Sequence, residues 1–81
     1  MILFYTRRFQ RSYTDSPPEI QKQCDKQLAH LIQDFRHPSV RAKKFDEARN
    51  IWQGRVNRSW RFYFLIEGDR YYLLDMMPHP K

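Results

Sequence analysis

Between Ile51 and Met77 the chain reads as three β-strands in direct succession, and this run limits what the rest can fold into. The stretches Ile51 to Val56, Trp60 to Glu67 and Arg70 to Met77 are rich in β-branched and aromatic residues. Asn57-Arg58-Ser59 separates the first two, and Gly68-Asp69 sits in a tight hairpin connection between the last two. Connections this short join antiparallel neighbours. A small sheet with one apolar face must then be covered by whatever helices the preceding residues supply.

Those helices are legible upstream. Residues 2 to 5 are an apolar, β-prone run and predict a first strand. Phe9 and Tyr13 are four apart, as on one face of a short helix over residues 7 to 14. Asp15-Ser16-Pro17-Pro18-Glu19 reads as a helix start: a capping residue, proline in the first turn, then an acid at the positive end of the dipole. Ile20, Cys24, Leu28, Leu31, Ile32 and Phe35 follow as an apolar stripe, so the helix is expected to reach about Phe35 and to be closed by Pro38. Residues 37 to 50 read as a basic loop. The order β-α-α-β-β-β makes an α+β domain, its small sheet mostly antiparallel and its helices on one face.

Within the hairpin, Arg55 and Arg61 face each other if Asn57 to Ser59 is the turn, and their side chains leave the same face. Like charges directly opposite are destabilising. An anion seated between them removes the penalty, and the planar guanidinium fork suits phosphate. Along the third strand, Phe62, Phe64 and Ile66 alternate with Arg61, Tyr63 and Leu65, the first set expected against the helices. The register of the last strand has two readings. A two-residue turn pairs Ile66 with Tyr71 and brings Tyr72, Leu74 and Met76 to the arginine face. A three-residue loop with a bulge brings Tyr71, Leu73, Asp75, Met77 and His79 there instead.

Charge is concentrated in the same region. Residues 36 to 61 hold eight basic side chains (Arg36, Arg41, Lys43, Lys44, Arg49, Arg55, Arg58, Arg61) against Asp46 and Glu47. That difference of six equals the net charge of the whole chain, +6, so one segment carries the entire excess. Such concentration is the footprint of a polyanion-binding surface. The other chemistry is sparse. Cys24 is the only cysteine, which excludes an internal disulfide, and with His30, His37 and His79 it has no metal-ligand spacing. No metal or cofactor is expected. The N-terminus is too short for a signal peptide, no apolar run approaches transmembrane length, and a cytoplasmic, soluble single domain over residues 1–81 is expected.

The pattern resembles the RelE/ParE superfamily of bacterial type II toxin–antitoxin toxins. The residues carrying the resemblance are the opening strand with its Phe-containing helix, His37-Pro38-Ser39 followed by Lys43-Lys44-Phe45, and the stretch Ile51-Trp52-Gln53-Gly54-Arg55-Val56-Asn57-Arg58-Ser59-Trp60-Arg61-Phe62-Tyr63-Phe64. The closing strand ending in His79 completes it. The resemblance implies a microbial ribonuclease-like fold and a cognate antitoxin protein, with a hetero-oligomeric complex of the two binding operator DNA. In the RelE-like branch it implies cleavage of mRNA in the ribosomal A site, close to rRNA. In the ParE-like branch the target is DNA gyrase and no RNA is cut. A non-toxic basic RNA-binding domain is the third reading.

For the RelE-like branch, which we favour, the resemblance places catalysis on Arg55, Arg61 and His79, with a carboxylate used by some members falling near Asp46 and Glu47. At the position after the histidine, where several members carry a tyrosine or an acid, this chain has Pro80. Metal-free RNA cleavage requires a base for the 2′-hydroxyl, positive charge on the phosphorane and an acid for the 5′-oxygen. Arg61 with Arg55 suits the charge role, His79 the acid, and Glu47 or Lys44 the base or a further charge. Lys43, Lys44, Arg58 and Arg41 are expected to position phosphates.

Overall fold

A computed structural model describes residues 1–79. Its elements are β1 (Ile2–Tyr5), α1 (Arg7–Asp15), α2 (Pro18–Gln33), β2 (Lys43–Asp46), β3 (Ile51–Arg55), β4 (Trp60–Glu67) and β5 (Arg70–Pro78). The strands form one sheet in the order β1-β5-β4-β3-β2. β1 runs parallel to β5, and the remaining neighbours are antiparallel. The expected α+β class is therefore the one adopted, with one strand more than expected. Residues 43–46, assigned to the loop over 37 to 50, pair with β3 as β2. The position of Pro80 lies outside the described residues. Among those residues no helix is long and apolar enough to cross a membrane.

The core lies between the two helices and one face of the sheet. Phe9 of α1 and Cys24, Leu28 and Leu31 of α2 pack with Phe62, Phe64, Tyr71, Leu73 and Met76. Phe62 and Phe64 are fully buried, each worth about 1.5–3 kcal/mol of transfer free energy. Gly54 lies opposite Phe62 on β3. A Cβ at Gly54 would overlap the Phe62 ring, so the glycine is a packing requirement of that aromatic. Burial pushes the Cys24 thiol up to about 12, with Asp25 adding to it, which makes Cys24 an inert core residue.

Three local expectations are corrected. First, α2 stops at Gln33, where the Asp34 N–H reaches the His30 carbonyl and the Asp34 carboxylate accepts from the Arg36 N–H. Phe35 lies beyond the helix end and packs edge-on to Trp52 at 5.0 Å. Second, Ile32 is exposed, and the polar Gln27 is buried beside Leu28 instead. Third, Asp15-Ser16 supplies no side-chain cap to α2, whose N-cap is Pro17. The Ser16 hydroxyl instead donates to the Ser12 carbonyl and closes α1.

The last strand uses both registers weighed above, one in each half. Gly68 takes φ 61° at the first central position of the two-residue turn, which pairs Glu67 with Arg70 and Phe64 with Leu73. A bulge at Leu74 then shifts the register, and Tyr63 meets Asp75 and Arg61 meets Met77. The polar groups freed there are satisfied locally. Thr6, which caps α1 through the Phe9 N–H, also donates its hydroxyl to the Leu73 carbonyl at 2.6 Å. The Asp75 carboxylate accepts from its neighbour's N–H, from Ser12 and from Arg8.

Candidate functional site

Arg55 and Arg61 are direct partners across β3 and β4, as their spacing predicts. Their side chains converge on the turn that joins those strands. The Asn57 carbonyl accepts from Arg55 Nε at 3.2 Å and from Arg61 Nη1 at 2.7 Å. Arg61 Nη1 also reaches the Trp60 carbonyl at 2.9 Å. Asn57 in turn is fixed by its own side chain. Its Oδ1 accepts from the Ser59 and Trp60 N–H groups, and its Nδ2 donates to Gln23 on α2. One asparagine thus holds two like charges at the same point.

This arrangement is costly unless the charges are used. Two unit charges about 4 Å apart repel by about 1 kcal/mol in water and about 4 kcal/mol at the effective dielectric of a partly buried site. Burial, the Arg55 charge and, more weakly, Arg41 push Arg61 below the ordinary guanidinium value, against a smaller opposing pull from Tyr63. A guanidinium nonetheless stays protonated in proteins. The pair therefore remains a fixed double charge.

Around it lies a cleft of about 210 Å³ lined by Arg41, Lys43, Gln53, Arg55, Arg61 and His79. Four cations and a histidine meet there, with no carboxylate side chain among the described lining residues. Each arrives by a separate device. Val40 is fully buried and its carbonyl accepts from the Arg55 N–H at 2.8 Å, which lays the 38–42 segment along the end of β3. Arg41 follows with φ 51°, a left-handed conformation uncommon for arginine. Lys43 pairs with Gln53 at the start of β2 and shares its face. The β5 bulge turns Asp75 and Met77 to the arginine face. His79 follows, its N–H bonded to the Ser59 carbonyl at 2.6 Å.

Not every expected residue joins this group. Lys44 alternates to the other face of β2, stands 4.7 Å from the Trp52 ring and pairs with Glu47 at 3.9 Å. Glu47 is exposed and does not line the cleft. Arg58 is exposed in the turn and lines a neighbouring cleft.

The sequence reading missed three polar residues that build the site: Asn57, Gln27 and Gln53. Gln27 donates to the Ser39 and Arg55 carbonyls at 2.9 and 2.8 Å and accepts from the Ser39 hydroxyl, tying α2 to both arms of the cleft. A polar residue three positions from Cys24, inside the apolar stripe, was its signal. Asn57 was signalled by asparagine's preference for turns in which its side chain bonds backbone N–H groups.

Next to the cleft, the same face turns apolar. Phe45 packs on Tyr63 at 4.8 Å, beside Ile51, Leu74 and Met77, in a groove of about 490 Å³ that also reaches His79. Burial, more than any charge, raises the Tyr63 phenol above its ordinary value, so it remains neutral.

No family model matches the chain. No curated protein matches it by sequence either. Solved structures do match in shape. The YoeB/ParE toxin from Agrobacterium tumefaciens superposes with a TM-score of 0.81 at 13% identity, over 99% of this chain and 100% of that one. The YoeB toxin in the heterotetrameric YoeB–YefM complex from Staphylococcus aureus gives 0.75 at 9%, over 99% and 98%. The intact RelBE toxin–antitoxin complex from E. coli gives 0.74 at 10%, over 99% and 98%. The chain has the fold shared by these toxins, along its whole described length.

Proposed function

We propose that this chain is the toxin of a type II toxin–antitoxin system, an endoribonuclease that cuts mRNA on the ribosome and is neutralised by a cognate antitoxin. The observation that carries this reading is the Arg55–Arg61 pair, held by one carbonyl at the edge of a cleft whose described lining has no carboxylate side chain. Two guanidiniums fixed before substrate arrives can stabilise the charge of a phosphorane without reorganising. Arg41 and Lys43 add to that charge and lower the cost of forming the 2′-oxyanion that attacks, its proton passing to solvent water at the open cleft. His79, at the rim, is assigned the proton for the leaving 5′-oxygen. The products are a 2′,3′-cyclic phosphate and a 5′-hydroxyl. The fold it shares with YoeB and RelE toxins supports the assignment.

Lys44 and Glu47, engaged with each other, are assigned the flank of the site rather than its chemistry. A ParE-like toxin that acts on gyrase by binding alone would need no such cleft.

Arg61→Ala tests the reading. It is expected to relieve growth arrest, with cleavage reduced about 10²-fold or more, while binding to the antitoxin persists. A fully toxic Arg61→Ala protein would overturn the proposal.

A further inference from the structure

On the other side of the β3–β4 turn lies a second cleft, of about 510 Å³. Its cations are Lys26, Arg41, Arg55 and Arg58, and no carboxylate is among the described lining residues. Gln23, Lys26 and Gln27 of α2 share one helix face, three and four residues apart, and turn it toward the cleft. Gln23 and Asn57 are bonded to each other, and Gln27 to the Arg55 carbonyl, so this wall is braced rather than loose. Arg41 and Arg55 line both clefts.

Resting on the proposed ribonuclease activity, we propose that this second cleft holds a phosphodiester flanking the one at the Arg55–Arg61 pair. The RNA strand then crosses the β3–β4 turn from the sheet face onto the flank of α2. Two clefts with two arginines in common suit an anion that repeats along a chain, and a nucleic-acid backbone is such an anion. The wall chemistry argues the same way. An amphipathic protein segment would bury apolar side chains, but this lining is mainly cationic and amide, whereas the groove beside Phe45 and Tyr63 is apolar. Lys26 is the new member. It belongs to the part of the sequence whose charges balance, and only the packing of α2 brings it to the basic segment.

The test is fluorescence anisotropy on the full chain, with a labelled 2′-O-methyl oligoribonucleotide that resists cleavage and with a dinucleoside monophosphate. Lys26 is exposed, so Lys26→Gln leaves the fold intact. For the oligonucleotide, the slope of log affinity against log salt is expected to shrink by about 0.7, the loss of one single-strand phosphate contact. Affinity for the dinucleoside monophosphate, whose one phosphate occupies the Arg55–Arg61 cleft, is expected to stay unchanged. Equal losses for both probes, or no loss for either, would overturn the second cleft alone. An acidic peptide that binds more tightly than RNA, and in a Lys26-dependent way, would give the cleft to a protein partner. No binding of either nucleotide probe by the unsubstituted protein would overturn the ribonuclease reading as well.

Discussion

Asn57 and Gly54 show how single residues decide this site. Asn57 is not charged and reacts with nothing, yet both guanidiniums, the turn and α2 depend on it. Asn57→Ala keeps the carbonyl but removes the side-chain bonds that fix its direction. The expected result is a stability loss of about 1–2 kcal/mol by chemical denaturation, with weakened growth arrest at an expression level where the protein is still folded. Gly54→Ala acts from the opposite face. The added methyl meets the buried Phe62 ring, and overpacking of that kind costs about 1–3 kcal/mol. A lowered melting temperature in Gly54→Ala, restored in part by Phe62→Leu in the same chain, would check that account. A Gly54→Ala protein as stable as the parent would contradict it.

Among the elements, legibility followed how local the determining interactions are. The pairing of Arg55 with Arg61 was readable because strand alternation and a short turn fix it within seven residues. β2 was not readable. Lys43-Lys44-Phe45-Asp46 is short, charged and nowhere fully buried, and only pairing to β3 at the sheet edge makes it a strand. The β5 register was ambiguous for a related reason. Both faces of that strand are apolar, and the bulge is held by contacts of Thr6 with Leu73 and of Arg8 and Ser12 with Asp75, which come from distant sequence. The end of α2 carries one further consequence. His30 and His37 stack with ring centroids 3.9 Å apart, and His37 Nδ1 accepts from the Ser39 N–H. Partial burial, then the His37 charge, then Lys26 lower the His30 pKa below its ordinary value. The folded chain then holds fewer protons than the unfolded chain below about pH 6.5, so stability is full above that pH and falls as pH drops. Melting temperature measured from about pH 7 to about pH 5.5 should fall, and fall less in His30→Gln. Equal falls in both proteins would remove the pair from the account.

For the whole molecule, the charge excess of one sequence segment becomes a surface. The segment from Arg36 to Arg61 supplies Arg41, Lys43, Arg55, Arg58 and Arg61 to two adjoining clefts, and the fold adds His79 from just beyond β5 and Lys26 from α2. The basic character was legible as a count. Its division into clefts was not, because Lys44 alternates away, the place of His79 hung on a β5 register that stayed open, and Lys26 arrives only through packing. The central claim is that this surface cuts message during translation, and primer extension on RNA from cells expressing the chain alone tests it directly. The account predicts cuts inside translated codons, absent when Arg61→Ala is expressed at the same level. Growth arrest with uncut message would contradict it.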